Sequence, residues 1–199
     1  MATKLVLSDI ADQRAYERER QDFRAHIIDL KKRRRVHVGP VLTLLFENRD
    51  TIRFQIQEMA RVEKLTTDEA IQNELDTYNP LVPDAGQLCA TVFIELTTDE
   101  QLREWLPKLV GIEQSLLLQL GEGPGAQRVR AITDEAHAGQ LTRTEITASV
   151  HYVRWELTPE QVDLVASGPV SLVADHAAYD YACLVDSTTL GEITTDLRG

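Results

Sequence analysis

The chain has few of the residues that secreted, cysteine-ligated or nucleic-acid-binding proteins rely on. Only two cysteines occur in 199 residues, Cys89 and Cys183, and each lies in an apolar segment. This usage is typical of buried thiols in a reducing compartment and argues against a disulfide framework or a cysteine-bound metal. Lys and Arg number 21 against 32 Asp and Glu, a formal net charge of −11. Because phosphate binding needs the opposite balance, we predict no nucleic-acid partner.

Long apolar runs are also missing. No stretch approaches the roughly 20 apolar residues of a membrane-spanning helix, and the N-terminal residues become charged too early for a secretory signal. The glycines of GEGPG (residues 121–125) precede no Lys followed by Ser or Thr, so they predict a hairpin rather than a phosphate loop. We expect a soluble cytoplasmic protein without membrane contact, and no motif identifies a cofactor.

Helix and strand signals alternate along the chain. The apolar spacing predicts a long N-terminal helix over residues 9–34, capped by Ser8, and a central helix capped by Asn48. No repeat or linker divides the sequence, which predicts a single α+β domain over residues 1–199, with a largely antiparallel sheet packed against these two helices. Strands are predicted over 36–46 with a kink at Gly39, and over 88–96, 116–120, 127–133, 143–157, 170–174 and 179–185, with further helices starting at Thr67, Thr98, Thr158 and Ser187.

The central helix carries polar residues where core residues are expected. Gln55 and Glu63 project into its apolar arc, and Glu58 lies between Phe54 and Val62, four residues away on either side. Buried polar groups need partners. The helix therefore predicts an internal polar network.

A compact basic run, KKRRR, covers residues 31–35. Its cations can complement the negative end of the preceding helix, or they can bind an anionic ligand or an acidic partner. The candidates for the anion- or partner-binding site are Arg33, Arg34, Arg49 and Arg53. The N-terminal helix itself can pack on the protein's own sheet or form a homodimer.

Carboxylates and imidazoles on separate elements provide a second candidate site. Glu58, Glu95 and His151 would suit iron, manganese or zinc if they converged, and Glu58, Tyr78 and His151 would suit general acid–base chemistry. The simpler interpretation is a structural one. Glu58 and Glu95 would then pair with arginines of the central helix and fix that helix against the sheet.

Several long segments together resemble a known family. They are FENRDTIRFQIQEMARVE, ELDTYNPLVP, ATVFIEL, SVHYVRWEL and DHAAYDY. Through them nearly the whole chain resembles the bacterial domain-of-unknown-function family 3501. The resemblance implies a context, because such proteins tend to be encoded beside rubrerythrin-like proteins and iron–sulfur proteins related to heterodisulfide reductase. It implies no reaction.

Two functional hypotheses follow. The first is a non-catalytic accessory or interaction protein for a redox partner, in the context that the resemblance implies. The second is a metal-dependent redox or hydrolytic enzyme that uses the Glu58, Glu95 and His151 site. The sequence leaves open whether the protein is an enzyme, because no nucleophile or cofactor motif decides between them.

Overall fold

The computed structural model describes residues 4–133 and 146–199 of the chain. Helices and antiparallel strands are mixed along these residues, which confirms the predicted α+β class. The helices are Gln13–Arg33 (α1), Arg49–Glu63 (α2), Asp68–Tyr78 (α3), Asp99–Trp105 (α4), Pro159–Ser167 (α5) and Ser187–Arg198 (α6). The strands are Arg35–Val38 (β1), Leu42–Glu47 (β2), Gln87–Ile94 (β3), Leu116–Leu120 (β4), Gln127–Arg130 (β5), Ile132–Thr133 (β6), Val150–Glu156 (β7), Val170–His176 (β8) and Tyr179–Leu184 (β9).

The strands form two antiparallel sheets, ordered β1-β2-β3-β7-β6 and β5-β4-β8-β9. The chain passes from the second sheet to the first at Ala131, between β5 and β6. On the opposite side the sheets are joined by Tyr179, whose hydroxyl donates to the Val38 carbonyl (2.6 Å). The same hydroxyl accepts from the backbone N–H of Val41 (3.0 Å) and of Leu42 (3.2 Å). The two sheets therefore form a sandwich that is tied together along both sides.

The main core lies between the inner faces of the two sheets. Alternate residues of β2 and β3 point into it, as expected for strands with one face in a sandwich. Helices α5 and α6 add Val165, Ile193 and Leu197 to the same cluster. Its fully buried members from the sheets include Leu42, Leu44, Phe46, Leu88, Ala90, Val92, Leu116, Leu118, Leu120, Trp155, Val170 and Leu172.

A second, smaller core holds α2 and α3 over the outer face of the five-stranded sheet. Ile52 and Ile56 of α2 pack with Leu75 of α3, and Tyr152 of β7 packs against them from the sheet. Asn48 caps α2 as predicted, because its side chain accepts from the backbone N–H of residues 50 and 51. Strand β2 is consequently buried on both faces.

The start of the N-terminal helix was predicted wrongly. Residues Leu7–Asp9 form a short 3₁₀ turn, and α1 begins at Gln13 with Asp12, not Ser8, as its cap. The preceding segment is held by α2 instead of continuing the helix. Gln57, which helical spacing places with Arg53 and Arg61 on the polar face of α2, is only 1 % exposed because its side chain bonds both the N–H and the carbonyl of Ala11.

The single strand predicted over residues 36–46 is a hairpin. Gly39 has a φ of +67°, in the left-handed region that glycine adopts without strain. The chain therefore reverses there, and Val38 pairs with Leu42 across the turn.

The apolar stripe of α1 packs on α2 rather than on the sheet, since Phe23 meets Phe54 edge to face with the ring centroids 5.7 Å apart.

Candidate functional site

The outer face of the five-stranded sheet carries a buried carboxylate. Antiparallel pairing sets Glu47 of β2 opposite Cys89 of β3, and Thr91 follows two residues later on the same face. The Thr91 hydroxyl donates to Glu47 Oε1 at 2.6 Å. Glu47 and Thr91 are each only 6 % exposed. The local strand register thus holds a carboxylate beneath the helices.

A cavity of about 260 Å³ opens beside Glu47, between this sheet face and the helices. The sheet provides its floor, α1 and α2 provide two walls, and the end of α3 provides the third. We call it the polar chamber. It is lined by Lys31, Leu45, Glu47, Ile52, Gln55, Tyr78, Leu81, Thr91, Phe93, Val150 and Tyr152.

Two charged side chains line the polar chamber, Lys31 and Glu47. Among the described residues, no Lys, Arg or His forms an ion pair with the Glu47 carboxylate, although a carboxylate offers about four lone-pair positions. Burial, with smaller contributions from Tyr78 and Glu47, raises the pKa of Tyr152. The Tyr152 hydroxyl therefore keeps its proton at neutral pH. The polar chamber combines one anionic acceptor, Glu47, and one cation, Lys31, with hydroxyl and amide groups.

Cys89 lies next to Glu47 in the strand register but is not an activated thiol. Burial raises its pKa to about 12, and its sulfur lies 3.9 Å from the carbonyl oxygen of Pro80. A protonated thiol is a poor nucleophile. The arrangement therefore suits binding better than covalent chemistry, and the predicted role of Cys89 as a buried, unpaired cysteine is confirmed.

The first two predicted anion-binding arginines tie α1 to α6. Arg34 is 1 % exposed, and its Nε donates to the Phe46 carbonyl at 2.8 Å. Its guanidinium also pairs with Asp196 and, at 3.2 Å, with Glu192. Arg33 Nε approaches the same Glu192 at 2.8 Å. These cations are already matched by the protein's own carboxylates.

The other two arginines bind the segment before α1. Arg49 pairs with the Asp9 carboxylate at 2.7 Å, and Arg53 Nε donates to the Asp9 carbonyl at 2.9 Å. The Arg53 guanidinium also lies 4.9 Å from the ring centroid of Phe23. The four predicted arginines thus form two internal groups rather than one shared anion site.

The polar network predicted around Glu58 is present, with partners from α1 instead of from α2, but Glu63, also predicted in the apolar arc, is exposed. Glu58 accepts from the Tyr16 hydroxyl at 2.6 Å and from two nitrogens of Arg20, each at 2.8 Å. The hydrogen bonds from Arg20 lower the pKa of Glu58. Burial and the bond to Glu58 raise the pKa of Tyr16. This cluster fixes α1 against α2.

The remaining predicted metal ligands lie elsewhere. Glu95 is half-exposed beyond the end of β3, 3.8 Å from Arg35. His151, 2 % exposed, lies on the inner side of β7, where its Nε2 is 2.9 Å from both Thr147 Oγ1 and the Ala148 carbonyl. The structure therefore does not bring Glu58, Glu95 and His151 together. Within residues 4–133 and 146–199, no three His, Cys, Asp or Glu side chains are placed to hold a metal ion.

His151 has a different acidic neighbour. Its Nδ1 lies 4.0 Å from Oε2 of Glu113, a carboxylate that is buried in the 3₁₀ turn Ile112–Ser115 before β4. That oxygen has no hydrogen-bond partner among the described residues. Glu113 is thus a second buried carboxylate, separate from the Glu47 carboxylate that lines the polar chamber.

Sequence reasoning found part of the polar chamber. Gln55 was singled out as a polar residue in an apolar arc, and Tyr78 as an acid–base candidate, and both line the cavity. Thr91 and Tyr152 were missed. The available signal was alternation, because the side chains at 88, 90, 92 and 94 of β3 are all apolar, whereas Gln87 and Thr91 on the other side are polar.

None of the helices in the described part of the chain could span a membrane.

Comparisons with known proteins give a family and a matching fold. Residues 4–197 match the model of a family described as a protein of unknown function, DUF3501. The chain is also similar to a crystal structure from Burkholderia pseudomallei, titled a novel protein of unknown function. The two are 38 % identical with a TM-score of 0.88, over 98 % of this chain and 100 % of that one. Curated proteins yield no significant match.

Proposed function

This chain belongs to DUF3501, a family of proteins of unknown function, and we propose that it is a non-catalytic accessory protein that binds a small molecule in the polar chamber and serves a redox partner protein. The observation that carries the proposal is Glu47. Its carboxylate is almost fully buried, accepts one described side-chain hydrogen bond, and borders a cavity instead of packed side chains. Burying such a group is costly unless something binds it.

Most of the segments that carry the family resemblance also line the polar chamber. Four of the five segments that carry the resemblance contribute to the lining of the polar chamber. They supply Glu47 and Gln55, Tyr78, Thr91 and Phe93, and Val150 and Tyr152. This overlap supports the polar chamber as the functional centre.

Binding is favoured over catalysis by the chemistry of the lining. The chamber's carboxylate has no imidazole beside it in the lining, and the neighbouring Cys89 thiol stays protonated. The redox part of the proposal comes from the genomic context that the resemblance implies. A cytoplasmic location agrees with the two unpaired cysteines. The metal-enzyme alternative gains no supporting observation, because its ligands have separate partners.

The binding half of the proposal is tested by thermal unfolding against a panel of small polar metabolites. Ligands of the polar chamber should stabilise the native protein and the Glu113→Gln control but not Glu47→Gln, since a ligand raises stability only through its affinity for the native state. Glu113 is a matched control because it is a buried carboxylate outside the chamber lining. The absence of any stabilising compound, or equal stabilisation of Glu47→Gln, would contradict the proposal.

The partner half is tested by pull-down with a rubrerythrin-like protein. Of the basic run, Lys32 and Arg35 are exposed, whereas Arg34 is used inside the protein. Reversing the charge of Lys32 and Arg35 together should weaken capture without unfolding the protein, while Lys108→Glu serves as a control cation elsewhere on the surface. Unchanged capture would show that the basic run is not the docking surface.

A further inference from the structure

We infer that the ligand of the polar chamber is a small organic molecule with a primary ammonium group, which forms an ion pair with Glu47. The inference rests on the proposed binding function and adds the chemical class of the ligand. It depends on the charge, the aromatic lining and the size of the polar chamber.

Glu47 brings a buried carboxylate to the lining of the polar chamber. Thr91 occupies Oε1 of Glu47, and no described Lys, Arg or His pairs with the group. Lys31 also lines the polar chamber, but its Nζ lies over the Phe54 ring, 5.7 Å from the centroid. A buried carboxylate is stabilised most by a cation that also donates hydrogen bonds. An ammonium group supplies three such donors.

The other lining groups suit the same cation. The rings of Tyr78, Phe93 and Tyr152 border the cavity, and aromatic faces attract ammonium ions within about 6 Å of the ring centroid. The Gln55 side chain offers an amide oxygen as a further acceptor. A divalent metal ion would need more carboxylate oxygens than the single acid in this lining provides. The chemistry therefore selects an organic cation over a metal.

The volume of the polar chamber and the position of Lys31 restrict the class of ligand further. A volume of about 260 Å³ corresponds to roughly nine water molecules at about 30 Å³ each. The ligand is thus expected to have roughly nine non-hydrogen atoms, the size of an amino acid or a short alkylamine. Because Lys31 adds a positive charge to the same lining, a second ammonium group is disfavoured and an acidic far end is accepted. A monoamine or an amino acid fits, whereas a diamine does not.

Calorimetric titration with five probes of similar length tests the assignment: n-butylamine, γ-aminobutyrate, butyrate, n-butanol and the diamine putrescine. Of these, n-butylamine and γ-aminobutyrate should bind the native protein and the Glu113→Gln control. Binding should weaken about tenfold or more in Glu47→Gln, because a charge-assisted hydrogen bond is lost. Butyrate and n-butanol should bind no better to the native protein than to Glu47→Gln. Putrescine should bind more weakly than n-butylamine, and Lys31→Met should remove that difference.

Two results would overturn the assignment. Butyrate or n-butanol binding as tightly as n-butylamine would show that Glu47 does not select a cation. If n-butylamine and γ-aminobutyrate both fail to bind while another compound of the metabolite panel binds in a Glu47-dependent way, the ligand class is rejected and the binding function is kept. If no compound binds, the ligand class and the binding function are both rejected. If Glu47→Gln is unfolded by circular dichroism, Gln55→Leu replaces it, and unchanged affinity for n-butylamine in that variant would count against the inference.

Discussion

On the inner side of β2 and β3 every side chain is apolar, whereas the outer side of the same strands carries Thr43, Glu47 and Thr91. Both sides are buried. The inner residues pack against the second sheet, whereas Glu47 and Thr91 on the outer side border a cavity under the helices. The two faces of this sheet therefore have different roles. The close-packed apolar side chains of the inner face stabilise the fold, and the partly empty polar layer on the outer face is available for binding.

The largest effect on stability is expected from a substitution on the inner side of the sheet. Phe46→Ala should lower the free energy of unfolding by about 3–5 kcal/mol, because it removes a fully buried ring and leaves a cavity between the sheets. Denaturant unfolding followed by circular dichroism measures the loss. A cost below about 1 kcal/mol would mean that the inner side is not the close-packed core described here.

A smaller effect is expected where the helices cover the outer side. Glu58→Ala should cost about 1–3 kcal/mol, because the buried Tyr16 hydroxyl loses its acceptor and Arg20 loses its ion pair. The same denaturant titration applies, with Glu63→Ala, an exposed residue of the same helix, as the control. Equal stability of the two variants would show that the Glu58 cluster does not hold α1 on α2.

The stability that the Glu58 cluster contributes should depend on pH. Hydrogen bonds from Arg20 lower the pKa of Glu58 below its ordinary value of 4.5. The folded state therefore binds the Glu58 proton less readily than the unfolded state, so the contribution is fully present above about 4.5 and is lost as the pH falls through the lowered value. The stability difference between the native protein and Glu58→Gln should shrink over that acidic range. A difference that is constant with pH would contradict the ion pair.

Sequence reasoning predicted the features that depend on near neighbours. Asn48 and Thr67 cap their helices as expected, because a cap is formed with backbone groups two or three residues away. The polar character of Gln55 also pointed correctly to a buried polar layer. Such signals are readable because they follow from helical spacing alone.

Features that depend on distant partners were not predictable in the same way. Gln57 is buried because a segment 46 residues earlier crosses α2, and helical spacing alone had placed it outside. Glu58 pairs with Arg20, 38 residues away, instead of with an arginine of its own helix. The bond between Thr91 and Glu47 depends on the register of two strands 44 residues apart. Periodicity assigns a side chain to a face, but it does not identify what covers that face.

The smallest effect on stability is expected at Glu47, and this substitution tests the difference between the inner and outer sides of the sheet most directly. Glu47→Gln keeps an acceptor for the Thr91 hydroxyl and removes a buried charge that has no described cationic partner. Since the lost charge no longer has to be desolvated, the free energy of unfolding should stay within about 1 kcal/mol of the native value. Urea unfolding at neutral pH, without added ligand, measures it. A loss above about 2 kcal/mol would mean that the carboxylate stabilises the fold, so that the outer side, like the inner one, serves packing rather than binding.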